Sequence, residues 1–384
     1  MELGFTEEQN ILRTMVKSLC TDHCDSSVVR GMEHDPKGID ANLWQQMSET
    51  GILSAMIPEN LGGLGLSMLD GVAIYKELGR AIAPGPYFVS AIMGANAIAK
   101  GGSEKHKTEL LPEIASGSLI VTPAWLEPDN SFEAKGVQIR AEVSDDGFVL
   151  NGVKRHVQYA LDSTLLVLAR TGDDDEAVDL FFVDSNASGV VLEQQNSMAY
   201  DTQYKVTFIN VELTAADRLG ESGSGWETWQ SCMLEGIILL SAWAVGGAEK
   251  ALEMTVQYSK EREQFDKPIG SFQSLSHYMS DAATLAAGAD MIVLEAAWAL
   301  DEGKSIARLA PMASLFSGKA FRDITATCQQ IYGGYGFTME YDIQLYFRRA
   351  KQLQINWWDS RHLEELIATD VLDGVGETIG DVFA

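Results

Sequence analysis

The sequence predicts an α+β protein in three parts: an N-terminal α-helical domain, a middle antiparallel β barrel or sandwich, and a C-terminal four-helix bundle. Three observations predict it. Apolar residues recur at helical spacing to about Ser118; the period then shortens to two, with closely spaced turns; after Gly225 the helical period returns and persists. The domains are drawn at 1–118, 119–219 and 220–384. A chain of 384 residues with 46% apolar and 22% charged side chains buries enough surface to fold without disulfides or structural metal.

Thr6 opens the first helix. Its hydroxyl precedes Glu7, Glu8 and Gln9, an acidic first turn, and Ile11, Leu12, Met15, Val16 and Leu19 then form one face. A second helix runs through Leu43, Met47, Ile52 and Leu53 and stops at Pro58-Glu59-Asn60-Leu61-Gly62-Gly63-Leu64-Gly65. No strand precedes that loop and its Gly spacing is wrong for a dinucleotide fingerprint, so it reads as a turn between helices. From Leu119 come the strands: Val137–Val143, Phe148–Leu150, Leu165–Ala169, Leu180–Val183, Val190–Leu192 and Val206–Val211, separated by turns such as Gly172–Glu176. The bundle helices are Thr228–Glu261, Leu275–Asp301, Ile306–Tyr332 and Ile343–Asn356, broken at Pro268, Gly303 and Gly333-Gly334. The tail from Asp370 is acidic and expected to be loosely held.

Charge narrows the function. Lys and Arg number 28 against 55 Asp and Glu, a net −27, which excludes nucleic acid as an expected partner because phosphate binding needs clustered cations. An anionic ligand must therefore be held by a few local cations or by backbone N–H groups. Cys20, His23 and Cys24 share a helix, but no second ligand pair occurs at zinc spacing, and no metal is expected. Four scattered cysteines fit a reducing compartment. The first residues, Met1 to Glu8, carry no apolar secretion core, and the apolar stretch Gly236–Ala248 is shorter than the roughly 20 residues of a membrane span. A cytoplasmic protein without a membrane partner is expected.

Several side chains could carry chemistry. Arg262 sits at a helix end beside Lys260 and Lys267, and a guanidinium can hold a phosphate through two parallel hydrogen bonds; pairing with Glu261 or Glu263 is the plainer alternative. Ile331-Tyr332-Gly333-Gly334-Tyr335-Gly336-Phe337 places three Gly in four positions after a helix, more than one helix cap requires, and so favours close approach of a ligand. Gln329 and Gln330 could bond that ligand or cap the helix. Trp357-Trp358-Asp359 offers either core or a ligand wall, and Asp359 either a helix cap or a carboxyl with raised pKa among indoles. His277 and His362 have no evident partner, and no G-x-S-x-G turn supports serine catalysis.

Together these segments resemble the acyl-CoA dehydrogenase family over nearly the whole chain. Pro58-Glu59 with Gly62-Gly63-Leu64-Gly65 is similar to its P-E-x-x-G-G-x-G loop. Arg262-Glu263-Gln264-Phe265, continued by Lys267-Pro268-Ile269-Gly270-Ser271-Phe272-Gln273, resembles its R-x-x-F-G-x-x-I…Q signature, with Asp266 in place of the usual Gly. Gln330 to Phe337 is similar to its Q-x-x-G-G-x-G-F, and Arg349-Ala350-Lys351 comes next.

The resemblance implies FAD, an acyl-CoA thioester substrate, a tetramer, and electron-transfer flavoprotein as acceptor, as in fatty-acid or steroid side-chain β-oxidation. In such enzymes a carboxylate removes the thioester α-proton while the β-hydride passes to the flavin, and hydrogen bonds stabilise the enolate. It also implies a flavin site with two halves from two chains. The half that reaches a neighbour's nucleotide tail is intact here: Arg262, Phe265, Phe272, Gln273, Gln330, Gly333 and Gly334. The half that cradles the chain's own ring is altered. Its T-E-P-x-x-G-S-D loop is Leu126-Glu127-Pro128-Asp129-Asn130-Ser131-Phe132-Glu133, with extra carboxylates at Asp129 and Glu133, and its aromatic-I-T strand is His156-Val157-Gln158. Trp357 stands where the family has its catalytic Glu, and an indole accepts no proton. The remaining candidate bases are Asp359 and Glu235, the latter one residue, or about 100° of helix, from the position some members use. Three functions are open: a tail-donating subunit of a heterotetramer whose paralogous partner supplies ring pocket and base; a self-sufficient homotetramer with a relocated base; and a non-catalytic acyl-CoA-binding scaffold.

Overall fold

The computed structural model describes residues 4–128, 131–174 and 177–373. The N-terminal part is helical: α1 (Glu7–His23), α2 (Ser26–Gly31), α3 (Ala41–Glu49), α4 (Met68–Arg80), α5 (Ala95–Gly101) and α6 (Glu104–Ala115). Thr6 caps α1 in a reciprocal box, its Oγ1 accepting from the Gln9 N–H at 3.2 Å while Gln9 Oε1 accepts from Thr6 N–H at 3.0 Å. The second expected helix ends at Glu49, so Ile52 and Leu53 lie beyond it in turns, still buried. A π-helical segment, Val89–Gly94, precedes α5.

Among the described residues, eight strands make up the middle part: β1 (Val121–Ala124), β2 (Arg140–Ser144), β3 (Gly147–Gln158), β4 (Thr164–Arg170), β5 (Val178–Asp184), β6 (Val190–Gln195), β7 (Gln203–Thr214) and β8 (Arg218–Leu219). They form one sheet in the order β6-β7-β3-β2-β4-β5-β8, with β1 beside β4. The expected purely antiparallel module is corrected in one respect, since β1 and β2 both pair with β4 in parallel. The β2–β3 hairpin lies between β1 and β4 in the chain and allows that crossover, whereas alternation of side chains marks a strand but not its direction.

The C-terminal part holds α7 (Gly225–Glu261), a hairpin of β9 (Glu263–Gln264) and β10 (Lys267–Pro268), then α8 (Gln273–Asp301), α9 (Leu309–Tyr332), α10 (Ile343–Ile355) and α11 (Ser360–Leu372). The acidic tail was expected to loosen from Asp370, but α11 continues to Leu372; the rest of that tail, residues 374–384, lies outside the described residues. Among the described residues, two helices are long and apolar enough to cross a membrane by length and composition. The apolar window of α7 is 72% buried, as a core helix should be, whereas that of α8 is only 39% buried.

Glycine sets how closely α4 lies on α7. A Cβ on Gly79 would stand 2.0 Å from the Trp243 carbonyl oxygen, and one on Gly246 would stand 1.9 Å from that of Lys76, so the two backbones touch. Lys76, its side chain 6% exposed, crosses the same junction to Glu249 at 2.9 Å and Asp290 at 2.8 Å. One continuous apolar core runs through all three parts. Gly246→Ala must force the helices apart and is expected to cost about 3 kcal/mol, read as a lower urea midpoint at unchanged slope.

Candidate functional site

The last residue of α7 is Glu261, and the eight residues from Glu261 to Pro268 are all exposed. Phe265 and Asp266 form the two-residue turn of the β9–β10 hairpin with φ of 57° and 61°, so both central residues are left-handed, as a type I′ turn requires. That backbone explains a Gly preference at 266, and Asp is among the few side chains that tolerate it. Phe265 is 85% exposed, with its ring edge-on to Phe272 at 6.0 Å, and Lys267 Nζ lies 4.3 Å from the Phe272 centroid. Arg262 has no ion pair among the described residues, so neither Glu261 nor Glu263 holds it; its guanidinium lies over Tyr335, 5.6 Å from the ring centroid. That contact joins the hairpin to the glycine segment after α9. Tyr335 rests against Tyr341, and Tyr332 stacks on Tyr258 at 4.1 Å.

The three glycines have different causes. Gly333 has φ 62° and ψ −136°, a conformation closed to other residues, and a Cβ on Gly336 would meet the Gln329 carbonyl oxygen at 2.5 Å. Gly334 has neither reason, because its φ is ordinary and nothing lies within 4 Å of a Cβ there. Its bareness answers to nothing within this chain. Of the two glutamines, Gln329 is buried and donates to the Gly336 carbonyl at 3.0 Å, whereas Gln330 is exposed, as is Gln273 at the start of α8.

Aromatic side chains cluster around Trp125, next to the first of the segments expected to cradle a ring. Trp125, at the end of β1, stacks on Trp357 with centroids 6.0 Å apart and planes inclined by 13°. Phe88 meets Trp357 edge-on at 5.0 Å, Trp229 meets Trp125 at 5.4 Å, and Phe132 meets Trp125 at 5.8 Å. Trp125 and Trp357 are 8% and 7% exposed. Trp357 holds φ 63°, a strained position for a bulky residue that its neighbours over-determine. Two residues beyond Trp125, Glu127 is locked: it accepts from Lys154 Nζ at 2.6 Å and from the backbone N–H of Gln138 and Ile139. Both members of this ion pair are buried, at 0% and 5% exposure, and burial pulls the Lys154 ammonium below its ordinary range. Gln158 is tied to Asp201 at 3.1 Å and His156 to Gln203 at 3.0 Å. Glu133 pairs with Lys135 at 2.5 Å in half-exposed surroundings; Asp129 lies outside the described residues.

Neither candidate base is free. Glu235 accepts from Asn96 Nδ2 at 2.7 Å and Lys100 Nζ at 2.8 Å, turned toward α5. One residue on, Gly236 faces Phe88 and Met93, on the side of the helix nearer Trp357. The single-residue slip thus points the carboxylate elsewhere. Asp359 caps α11, accepting from His362 N–H at 2.9 Å. Cys20 and Cys24 are buried thiols at the end of α1, with His23 directed to Asn42, and no group of three metal-ligating side chains occurs among the described residues. Sequence reasoning missed Trp125, Phe88 and Trp229; the signal available was an aromatic in each of two segments that face one ring.

The chain matches the acyl-CoA dehydrogenase N-terminal, middle and C-terminal domain models over residues 6–118, 123–211 and 223–357. It belongs to the acyl-CoA dehydrogenase family, FAD-dependent oxidoreductases of CH–CH groups. A probable acyl-CoA dehydrogenase of Bacillus subtilis, YngJ, is 29% identical over 97% of this chain and 100% of its own length. Butyryl-CoA dehydrogenase of Megasphaera elsdenii superposes with a TM-score of 0.89 at 27% identity, covering 97% of this chain and 100% of that one. A chain of the ChsE4–ChsE5 complex of Mycobacterium tuberculosis superposes at 0.88 with 26% identity, over 98% and 100%.

His362 gives the aromatic cluster a pH dependence. Its ring lies 5.2 Å from Trp358 and 5.4 Å from Phe132, and burial lowers its pKa, outweighing Glu365, Asp359 and Glu133, which raise it. The unfolded chain then takes the proton first, so stability holds above the ordinary value of 6.5 and falls as pH drops from there through the folded value. His362→Phe is expected to flatten that part of the stability–pH curve, measured by urea titration between about pH 5 and 7.

Proposed function

We propose that this chain is the tail-donating subunit of a heteromeric acyl-CoA dehydrogenase. A paralogous partner carries the isoalloxazine site and the base, and the pair performs α,β-dehydrogenation of an acyl-CoA, passing electrons to electron-transfer flavoprotein. The observation that carries this reading is the Trp125–Trp357 stack, in which the residue before Leu126 packs against the position where the family has its catalytic Glu. Both indoles are buried, and neither offers a group that could accept the α-proton. The residues proposed to hold the nucleotide tail, Arg262, Phe265, Phe272, Gln273, Gln330, Gly333 and Gly334, are exposed or half-buried and open to a ligand. The pairing of two named chains in the ChsE4–ChsE5 complex gives a precedent on this fold.

Bound FAD supplies a two-electron acceptor for the substrate hydride. This chain's share is binding. Arg262, free of any acidic partner among the described residues, neutralises pyrophosphate charge in a protein otherwise short of cations. Gln273 and Gln330 offer amide hydrogen bonds, Phe265 and Phe272 an apolar edge, and Gly334 leaves the backbone open to close approach. Neither Glu235 nor Asp359 has a role as base in this scheme, since the first is held by Lys100 and Asn96 and the second by its helix.

Purified alone, the chain is expected to show no flavin absorbance and no acyl-CoA oxidation; co-expressed with its paralogue, it is expected to give one flavin per two chains. A full flavin complement with turnover from this chain alone overturns the proposal in favour of the self-sufficient enzyme. Acyl-CoA binding without any absorbance change, partner present, overturns it in favour of the scaffold. In the active complex, Arg262→Met is expected to weaken FAD retention by about 2 kcal/mol, roughly thirtyfold, measured by flavin release on dilution. Trp357→Glu alone is expected to leave the isolated chain without flavin, because it restores a carboxylate and none of the altered residues at 126–128 and 156–158.

A further inference from the structure

Away from the flavin region, α1, α4, α7 and α10 enclose a cavity of about 320 Å³. Lys17, Thr21 and Glu253 are exposed at its rim, and Ile82, Met254 and Leu345 give it an apolar wall. Most of its polar side chains are engaged. Glu77 holds Arg13 at 2.8 Å, Lys250 holds Glu253 at 2.8 Å, Asp342 accepts from Arg30 at 2.7 Å, and Tyr346 Oη donates to the Arg80 carbonyl at 2.7 Å.

Two thiols line the same cavity. Cys20 and Cys24 are 6% and 5% exposed and stand one helical turn apart, the Cys24 N–H donating to the Cys20 carbonyl at 2.9 Å. Positions so spaced have Cβ atoms about 5–6 Å apart on one helix face. Cys24 is the cap of α1, and a helix end yields more readily than its interior. Both cysteines are free, and neither makes a hydrogen bond among the described residues. Burial keeps both protonated, pushing Cys24 up to about 12, and Cys24 is itself the next largest influence on Cys20. The sulfurs are neighbours that stay uncharged. Cys232 and Cys328 are buried singly, on α7 and α9.

Two protonated thiols on one turn suit a soft element that bonds to sulfur and leaves no charge behind. We propose that Cys20 and Cys24 form a chelating site for monosubstituted trivalent arsenicals, one arsenic atom bridging both sulfurs and its organic group lying against Ile82, Met254 and Leu345. In the step, two S–H bonds and the two As–O bonds of the hydrated arsenical break, two As–S bonds form, and the thiol protons leave with the hydroxyls as water. Arsenic stays trivalent, so no oxidant or reductant enters. The product is neutral, which avoids the cost of burying an unpaired charge. Size agrees: apolar cavities of about 150 Å³ take a benzene ring, so this one has room for a phenyl group. The proposal goes beyond the flavin reading and stands whichever subunit holds the flavin.

The test treats the reduced, full-length chain with phenylarsine oxide under native conditions and then removes the excess. One arsenic per chain is expected, with two of the four thiols lost to titration in guanidinium. Iodoacetamide added on denaturation blocks the remaining thiols. The tryptic peptide Ser18–Arg30, which contains Cys20 and Cys24 and no other cysteine, is then expected to carry the arsenic. Excess glutathione is expected to leave the adduct in place, and 2,3-dimercaptopropanol to remove it. Cys24→Ser is expected to weaken binding at least about tenfold, a gap of about 1.4 kcal/mol, and to make it reversible by glutathione. Cys232→Ser is expected to change nothing. Should Cys24→Ser fail to fold, the peptide map of the unaltered chain decides. Loss of a single thiol, arsenic on Cys232 or Cys328, no adduct with the reagent in excess, or displacement by glutathione from the unaltered chain overturns the proposal.

Discussion

The stack of Trp125 on Trp357 is the contact on which the arrangement of this molecule turns. It brings the end of the first strand against the turn between α10 and α11, and so seats the β domain on the bundle. Its geometry is enforced from both sides. Glu127, two residues along an extended segment from Trp125, is fixed by buried Lys154 and two backbone N–H groups. On the other side Trp357 is held at positive φ between Phe88 and the cap of α11. Aromatic pairs of this kind contribute about 1 kcal/mol each beyond the surface they bury, and a buried ion pair that lost one member would cost several times that. The stability comes from burying both indoles in one aromatic cluster with Phe88 and Trp229.

Much of this was legible in the residues, for local reasons. Thr6 with Gln9 declares a capping box, Asp359 three residues before His362 an N-cap, and the return of helical period after Gly225 a bundle. The residues proposed for the tail surface could be picked out because they lie in contiguous motifs. Even the displacement of Glu235 came from counting, since one position on a helix is a quarter-turn and more. What could not be read required contacts between distant segments. The parallel pairing of β1 and β2 with β4, the Gly79 and Gly246 junction and the Trp125–Trp357 stack each join residues whose neighbours in sequence say nothing of the partner. Arg349 was visible only as part of a motif; that it lines a cavity depends on loops from two other domains.

The two halves of the flavin region differ in how their residues are satisfied. On the ring side the polar groups are engaged: His156 with Gln203, Gln158 with Asp201, Glu127 with Lys154 and Glu235 with Lys100. On the tail side Arg262 lacks an acidic partner among the described residues, Phe265 stands in water, and Gly334 is bare without internal cause. Groups completed within the chain have structural work, and the incomplete ones are those on which the proposed tail site rests. That contrast is independent of any motif and agrees with the family resemblance.

The apolar helix α8, barely two-fifths covered along its most hydrophobic window, has a bearing on life before assembly. An uncovered greasy rod beside an exposed phenylalanine invites self-association, and the countervailing force is the surplus of 27 negative charges, which keeps like chains apart in solution. Electrostatic repulsion of that kind reaches about 10 Å at 0.1 M salt and about 3 Å at 1 M. A newly made chain is therefore protected from its own kind in dilute electrolyte and loses that protection in brine, where the uncovered face of α8 is left free to associate.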